Sequence, residues 1–136
     1  MTSALPPRFD ITRAEVARVV AAFYARVRAH PGLGPVFAAH VTDWPAHEAR
    51  ITAFWAGIIL HEPGYDGSPV QAHVEAGNVQ PGMFSVWLAL FDRVLSEQLR
   101  ADQAAAWSAL AHRIGRSLRA AVTDRARGPD GVPRLR

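Results

Sequence analysis

The chain has 136 residues, 49% of them hydrophobic, which is enough for one domain with a single buried core. It contains no cysteine, which excludes disulfide bonds, thiolate metal ligands and the covalent attachment of a cofactor through cysteine. No run approaches the ~20 apolar residues of a membrane span, and the N-terminus lacks the pattern of a secretory signal. We therefore expect a soluble, cytoplasmic protein that does not bind membranes.

The net charge of +3 is carried entirely by arginine, because the sequence has no lysine. Residues 124–136 contain four arginines and two aspartates, and the rest of the chain contains eleven arginines and ten acidic residues. The positive charge is thus divided between a short tail and a nearly balanced body. This distribution has no concentrated basic patch and argues against nucleic-acid binding.

The first predicted helix follows an extended N-terminal segment, residues 1–11. The sequence Thr12-Arg13-Ala14-Glu15 has the form of a capping box and predicts a helix that runs to about Arg28. One face of this helix collects its apolar side chains, namely Val16, Val19, Val20, Phe23 and Val27. Prolines and glycines between 31 and 35 then predict turns, which place the large aromatic Phe37 in a connecting segment.

A long central helix is predicted from Thr42 or Asp43 to about His61. At about 100° per residue, one stripe of this helix contains Trp44, His47, Ile51, Phe54, Trp55 and Ile58. A histidine is unusual in the middle of such a stripe. After a loop rich in glycine and proline, a short capped turn presents His73 beside Val74. Two histidines on different elements, both facing apolar surroundings, suggest a cofactor buried between them.

Two further helices complete the predicted fold. The first begins at Pro81, with an apolar stripe of Phe84, Trp87, Leu88, Phe91, Val94 and Leu95. The second is capped by Asp102 and buries Trp107, Leu110, Ala111, Ile114, Leu118 and Ala121. No stretch alternates with period two, so we predict an all-α domain over 12–123 with four principal helices. Arginine, glycine and proline dominate residues 124–136, which we predict to be a disordered tail.

Four runs of the sequence, in this order and spacing, resemble group III of the truncated haemoglobins, a group within a family of bacterial globins. The runs are FYARVRAHPGLGPVF (23–37), HEARITAFWAGIIL (47–60), YDGSPVQAH (65–73) and FSVWLALF (84–91). Each run alone is a weak signal, but together they cover nearly all of 12–122. The chain also lacks the paired-glycine motifs of groups I and II. The resemblance implies a truncated globin, a two-over-two helical sandwich around a haem.

The resemblance also implies roles for individual residues. His73 would be the proximal ligand of the iron of a haem b (iron protoporphyrin IX), and Tyr24, His47 and Trp87 would form the distal ligand pocket. The residues that would contact the cofactor are Phe23, Phe37, Arg50, Ile51, Phe54, Trp55, Val74 and Phe84, with Arg50 reaching a haem propionate. The implied partners are the diatomic ligands O2, NO and CO and a reductase, and the implied assembly is a monomer or weak dimer.

Several hydrogen-bond donors around one ligand predict slow release of oxygen, because each bond to a charged group contributes about 1.5–3 kcal/mol. Slow release suits a protein that holds oxygen and oxidises nitric oxide with it better than it suits a carrier. The enzymatic activity stays open between a nitric oxide dioxygenase and a peroxidase-like or sulfide-handling haem protein. We rank the peroxidase-like alternative lower because no carboxylate obviously stands behind His73.

Each of these residues also has an ordinary structural explanation. His47 can be a hydrogen-bonded core histidine, His73 a loop cap, and Arg50 a solvated arginine. The aromatic candidates can be buried core residues with no ligand role. In a third hypothesis, from another class, the chain is a cofactor-free helical interaction module that binds acidic partners through its arginine tail.

Overall fold

A computed structural model describes residues 5–65 and 82–127 of the chain. These residues form five helices, which we number in chain order as α1 (Arg13–Ala29), α2 (Leu33–Ala38), α3 (Trp44–Leu60), α4 (Met83–Gln98) and α5 (Ala101–Arg127). Helix α1 packs against α2, α3 and α4, and α4 packs along α5. The all-α prediction is confirmed. None of the helices in the described part of the chain has the length and apolar character needed to cross a bilayer.

The starts of α1 and α3 follow the predicted capping signals. The Thr12 hydroxyl accepts from the Glu15 backbone N–H at 3.1 Å, and the Glu15 carboxylate accepts from the Thr12 backbone N–H at 2.9 Å. This reciprocal pair is the predicted capping box. Helix α3 begins after Asp43, whose carboxylate accepts from the Ala46 backbone N–H at 3.1 Å. Both helices therefore begin directly after a residue whose side chain accepts a hydrogen bond from a backbone N–H of the first turn.

Aromatic side chains from three helices meet in the middle of the core. Trp55 of α3 and Phe91 of α4 are stacked with ring centroids 5.8 Å apart. The fully buried Trp107 of α5 contacts both of them edge-on, at 5.5 Å and 5.4 Å. Each such side chain contributes about 1.5–3 kcal/mol through burial alone. This cluster holds α3 against α4 and α5.

The buried face of α3 differs from the predicted stripe. Its fully buried residues are Thr52, Trp55, Ala56 and Ile59. Of the predicted stripe only Trp55 belongs to this set, and the other members are half-buried. At about 100° per residue, the half-buried stripe is centred roughly a quarter turn or more away from the buried one. Helix α3 therefore has two adjacent apolar faces, one in the core and one along its edge.

Two predicted segment boundaries were wrong. The predicted turn at Gly34 and Pro35 and the connecting segment with Phe37 instead form the short helix α2, which tolerates Pro35 because a backbone N–H is not required in the first turn. Helix α5 continues to Arg127, although its apolar periodicity stops before Asp124. Arginine and alanine have high helix propensity, so the helix can extend without a buried face. Residues 128–136 of the predicted tail lie outside the described residues.

The N-terminal segment packs against the domain, although we predicted it as an extension. The backbone N–H of Arg8 donates to the Ile59 carbonyl at 2.9 Å, and the Phe9 ring lies 6.5 Å from that of Trp107. Ile11 is buried. Residues 8–11 are therefore part of the folded domain.

The buried side chain of Gln103 joins this segment to two helices. Its amide nitrogen donates to the Asp10 carbonyl at 3.1 Å and to the Glu15 carboxylate at 3.3 Å, and its oxygen accepts from the Arg100 backbone N–H at 3.2 Å. Gln103 thus satisfies the amide before α5, and the prediction that Asp102 caps this helix was wrong because the helix begins one residue earlier, at Ala101. Asp102 lies in the first turn and pairs with the Arg100 side chain instead.

Candidate functional site

The corner between α1, α2 and α3 brings three of the predicted site residues into contact. The Tyr24 ring lies 4.9 Å from the His47 ring and 5.7 Å from the Phe37 ring, measured between centroids. Phe37 is also 6.3 Å from His47. Each of the three residues comes from a different helix, so their meeting depends on the tertiary fold and could not be read from sequence spacing.

His47 and Tyr24 are polar groups in this otherwise apolar corner. The Nε2 atom of His47 is buried and has no hydrogen-bond partner among the described residues. Tyr24 is only 3% exposed. Leaving a buried polar atom unpaired costs about 1–3 kcal/mol, so such atoms are uncommon in a finished core. Trp107 Nε1 in the central aromatic cluster is also unpaired among the described residues, so the feature specific to His47 is its position beside a buried phenol at a half-buried apolar face.

Burial controls the protonation of both groups. It raises the pKa of the Tyr24 phenol, and the negative charge of Glu48 raises it further. Burial lowers the pKa of His47 below its ordinary value of 6.5, and the positive charge of Arg50 lowers it further. At neutral pH the phenol keeps its proton and the imidazole is uncharged, so each group can donate one hydrogen bond.

Trp87 contacts Phe23, which in turn contacts Tyr24 of this corner. Its ring is 5.1 Å from Phe23 and stacks on Phe91 at 5.2 Å, while Phe23 is also 5.1 Å from Tyr24. Trp87 is half-buried, whereas Phe23 is fully buried. Phe23 therefore connects Trp87, the predicted third donor, to the Tyr24–His47 pair. In the described part of the chain, the Trp87 ring does not contact either ring of that pair.

The remaining predicted site residues divide between the core and the edge of α3. Ile51 and Phe54 lie on the half-buried face of α3, and Arg50 is exposed. Trp55 and Phe84 are buried, and Trp55 belongs to the central aromatic cluster. His73 and Val74 lie outside the described residues, so the predicted iron ligand and its neighbour stay predictions.

Trp44 is a member of this corner that sequence reasoning did not assign to the site. Its ring lies 6.0 Å from Tyr24 and 5.8 Å from His47, and the guanidinium of Arg28 lies 4.8 Å above it. Trp44 does share the predicted stripe with His47, three residues away, and this spacing was the available signal. The cation–π contact with Arg28 connects the end of α1 to the start of α3.

The order and packing of the helices define a truncated globin fold, and comparison with known proteins specifies the family. No family model matches the chain. Over 90 residues, 63% of this chain and 71% of the relative, the sequence is 33% identical to a group 3 truncated haemoglobin of Campylobacter jejuni. A crystal structure of a group III truncated haemoglobin from Campylobacter jejuni matches with a TM-score of 0.80 and 27% identity, over 90% of this chain and 95% of that one.

The chain belongs to the group III truncated haemoglobins. Membership in a globin family implies a haem cofactor, and the described residues fit such a group. The second apolar face of α3 provides a half-buried wall, and the unpaired Nε2 of His47 provides a polar atom beside it. Apolar walls with a few placed polar groups are typical of cofactor pockets.

Proposed function

We propose that this protein binds dioxygen and other diatomic ligands, including NO and CO, at a haem b ligated through His73, and that it releases oxygen slowly. When bound, haem supplies an iron atom with an open coordination position for a diatomic ligand. The observation that supports slow release is the buried Tyr24–His47 pair, with ring centroids 4.9 Å apart and the His47 Nε2 unpaired among the described residues.

In this proposal Tyr24 and His47 donate hydrogen bonds to the ligand, and Trp87 supplies a third donor from α4. A polarised ligand accepts such bonds strongly, and each contributes about 1.5–3 kcal/mol, or roughly ten- to hundredfold in the dissociation rate. In this proposal the apolar residues that would exclude water are Phe23, Phe37, Ile51, Phe54, Trp55 and Phe84, together with Val74, which lies outside the described residues. Arg50 is exposed on α3 and can pair with a haem propionate.

Slow oxygen release favours oxidation of nitric oxide over oxygen transport, so we also propose a role in nitric oxide detoxification. Such turnover requires a reductase as partner. Turnover of the purified protein should be measured with nitric oxide and, separately, with hydrogen peroxide. Faster turnover with peroxide would favour the peroxidase-like alternative.

The presence and ligation of haem can be tested by absorption spectroscopy. Purified or haem-reconstituted protein should show an intense Soret band, and His73→Ala should lose the pigment or change its spectrum. His40→Ala is the matched control, because His40 is an exposed histidine beyond the end of α2. A wild-type protein without a Soret band would exclude the proposal and favour the interaction-module hypothesis.

Oxygen dissociation measured by stopped flow tests the donors. Tyr24→Phe should speed release by roughly ten- to hundredfold, because it removes one hydrogen bond to the ligand and keeps the ring. Trp87→Phe, which keeps an aromatic ring against Phe91, should speed release in the same direction. If neither substitution changes the rate, the assignment of the distal pocket is wrong.

A further inference from the structure

His30 lies at the junction of α1 and α2, and its side chain caps the shorter helix. The ring Nδ1 accepts from the backbone N–H of Gly32 at 2.9 Å and from that of Leu33 at 3.1 Å. The first amide groups of a helix have no partner within the helix. An acceptor two to three residues earlier, usually the side chain of Asn, Asp or Ser, satisfies them. Here an imidazole does the same, and Nδ1 must be its unprotonated nitrogen.

Glycines at positions 32 and 34 allow α1 and α2 to approach each other closely at this junction. The Gly34 backbone N–H donates to the His30 carbonyl at 2.8 Å, and a Cβ atom at position 34 would lie 2.9 Å from the Arg28 carbonyl oxygen. A Cβ atom at Gly32 would lie 3.2 Å from Cε1 of the His30 ring. The ring of His30 therefore lies directly against Gly32, and α2 starts in contact with the backbone of α1.

Helix α2 depends on these contacts because it has only six residues. Isolated helices shorter than about twelve residues are marginal in water. Its residue Phe37 contacts the rings of both Tyr24 and His47, at 5.7 Å and 6.3 Å. The orientation of the two proposed donors thus depends on a helix whose first turn is fixed by His30.

We propose that His30 is a positioning residue for the ligand pocket: by capping α2 through Nδ1, it holds Phe37 against Tyr24 and His47 and so slows ligand release without touching the ligand. This inference deepens the proposed function and rests on it for the effect on ligand release. The structural part, that the His30 ring holds α2 and Phe37 in place, can be tested whether or not the protein carries haem.

The first experiment compares His30→Ala with His30→Asn in the full chain, without added haem. Alanine removes the acceptor, and asparagine restores one that can reach the same two amides. In His30→Ala the amide hydrogens of Gly32 and Leu33 should exchange about two- to thirtyfold faster. The nuclear Overhauser contacts between the rings of Phe37 and His47 should weaken in parallel. His30→Asn should restore both measurements to the wild-type values.

Gly32→Ala provides a second perturbation that leaves the imidazole in the chain. The added Cβ would lie 3.2 Å from Cε1 of the His30 ring, so the ring must shift by a few tenths of an ångström and its two hydrogen bonds should weaken. Amide exchange should speed up in the same direction but by less than in His30→Ala, which keeps the test valid if His30→Ala does not fold. The proposal is overturned if Phe37 keeps its ring contacts in both variants. It is also overturned if His30→Asn behaves like His30→Ala, because the acceptor would then be irrelevant.

The second experiment measures oxygen dissociation in the haem-loaded variants. His30→Ala should release oxygen roughly two- to tenfold faster than wild type, less than Tyr24→Phe, because the donors stay present but lose their fixed orientation. His30→Asn should match wild type. If Tyr24→Phe speeds release and His30→Ala does not, the positioning role fails while the proposed function stands. If the wild type binds no haem, the proposed function fails and the exchange experiment still decides the role of His30 in α2.

Discussion

Two regions of the molecule use histidine in opposite ways. In the corner of α1, α2 and α3, the Nε2 atom of His47 is buried without a partner among the described residues. In the seam between α4 and α5, Nε2 of His112 is hydrogen-bonded to the Asp92 carboxylate at 2.8 Å. The second oxygen of the same carboxylate accepts from the Ser108 hydroxyl at 2.6 Å.

His112 stabilises the packing of two helices, whereas His47 is available to bind a ligand. The seam cluster is half-exposed and each of its side chains is paired, so it joins two helices. The corner places His47 beside a buried phenol and leaves its Nε2 atom without a partner among the described residues. Unpaired buried polar atoms are rare in native proteins, and a bound ligand would account for the one at His47.

The largest expected loss of stability comes from disturbing the close backbone contact between Gly34 of α2 and Arg28 of α1. Gly34→Ala would place a Cβ atom 2.9 Å from the Arg28 carbonyl oxygen, and a backbone atom cannot move aside like a flexible side chain. We expect the free energy of unfolding, measured by urea denaturation, to fall by about 1–3 kcal/mol. Gly82→Ala is the control, because a Cβ atom there has nothing within 4 Å. Equal stability of the two variants would show that the corner is looser than described.

The comparison of the two histidines predicts stability changes of opposite sign. His47→Leu replaces an unpaired buried nitrogen with an apolar side chain, so the free energy of unfolding of the haem-free chain should rise by about 1 kcal/mol. The same variant should release oxygen faster when loaded with haem.

His112→Leu is the matched substitution in the seam. It removes one partner of the Asp92 carboxylate on the partly exposed surface, so the loss should be about 1 kcal/mol or less. Oxygen release should be unchanged. A loss of stability in His47→Leu equal to that in His112→Leu would contradict the distinction between the two regions.

The smallest predicted effect is a dependence of stability on pH. The pKa of His47 in the folded protein lies below its ordinary value of 6.5. As the pH falls below 6.5, the unfolded chain therefore binds more protons than the folded protein does. The free energy of unfolding should therefore be fully maintained above pH 6.5 and decline as the pH falls below it. Urea denaturation at pH 7.5 and pH 5.5 measures the decline, and His47→Leu should reduce it. A decline of the same size in both proteins would assign it to other groups.

Much of the fold was predictable from local sequence because the capping box and the apolar periodicity agree in α1, and the apolar periodicity of α4 largely matches its buried face. The predicted face of α1 is buried throughout. Helix α3 shows the limit of this reasoning. Its buried face includes Thr52 and Ala56, and small or polar residues add little to an apolar pattern although they allow close helix packing. Most of the predicted stripe, which has the larger side chains, is half-buried and lies at the edge of the core.

The site was predictable only in part. The unusual histidine in the apolar stripe indicated His47, and the resemblance supplied Tyr24 and Phe37. That Trp44 joins them, and that Arg28 lies over its ring, depends on how the helices cross. Helix α2 escaped prediction because its first amides are capped by the His30 side chain, which lies outside the helix, and because Gly34 lies against the backbone of α1. Local propensity gives no sign of either interaction.

The hydrogen bond from Gln103 to the Asp10 carbonyl has a consequence for folding during synthesis, since the two residues are 93 positions apart. The capping network at the start of the first helix is completed by a side chain from the last one. On the ribosome, α1 emerges long before α5 can follow, so this contact must form late. Until then the nascent chain has to keep its apolar helix faces from aggregating, and closure of the domain awaits the arrival of α5.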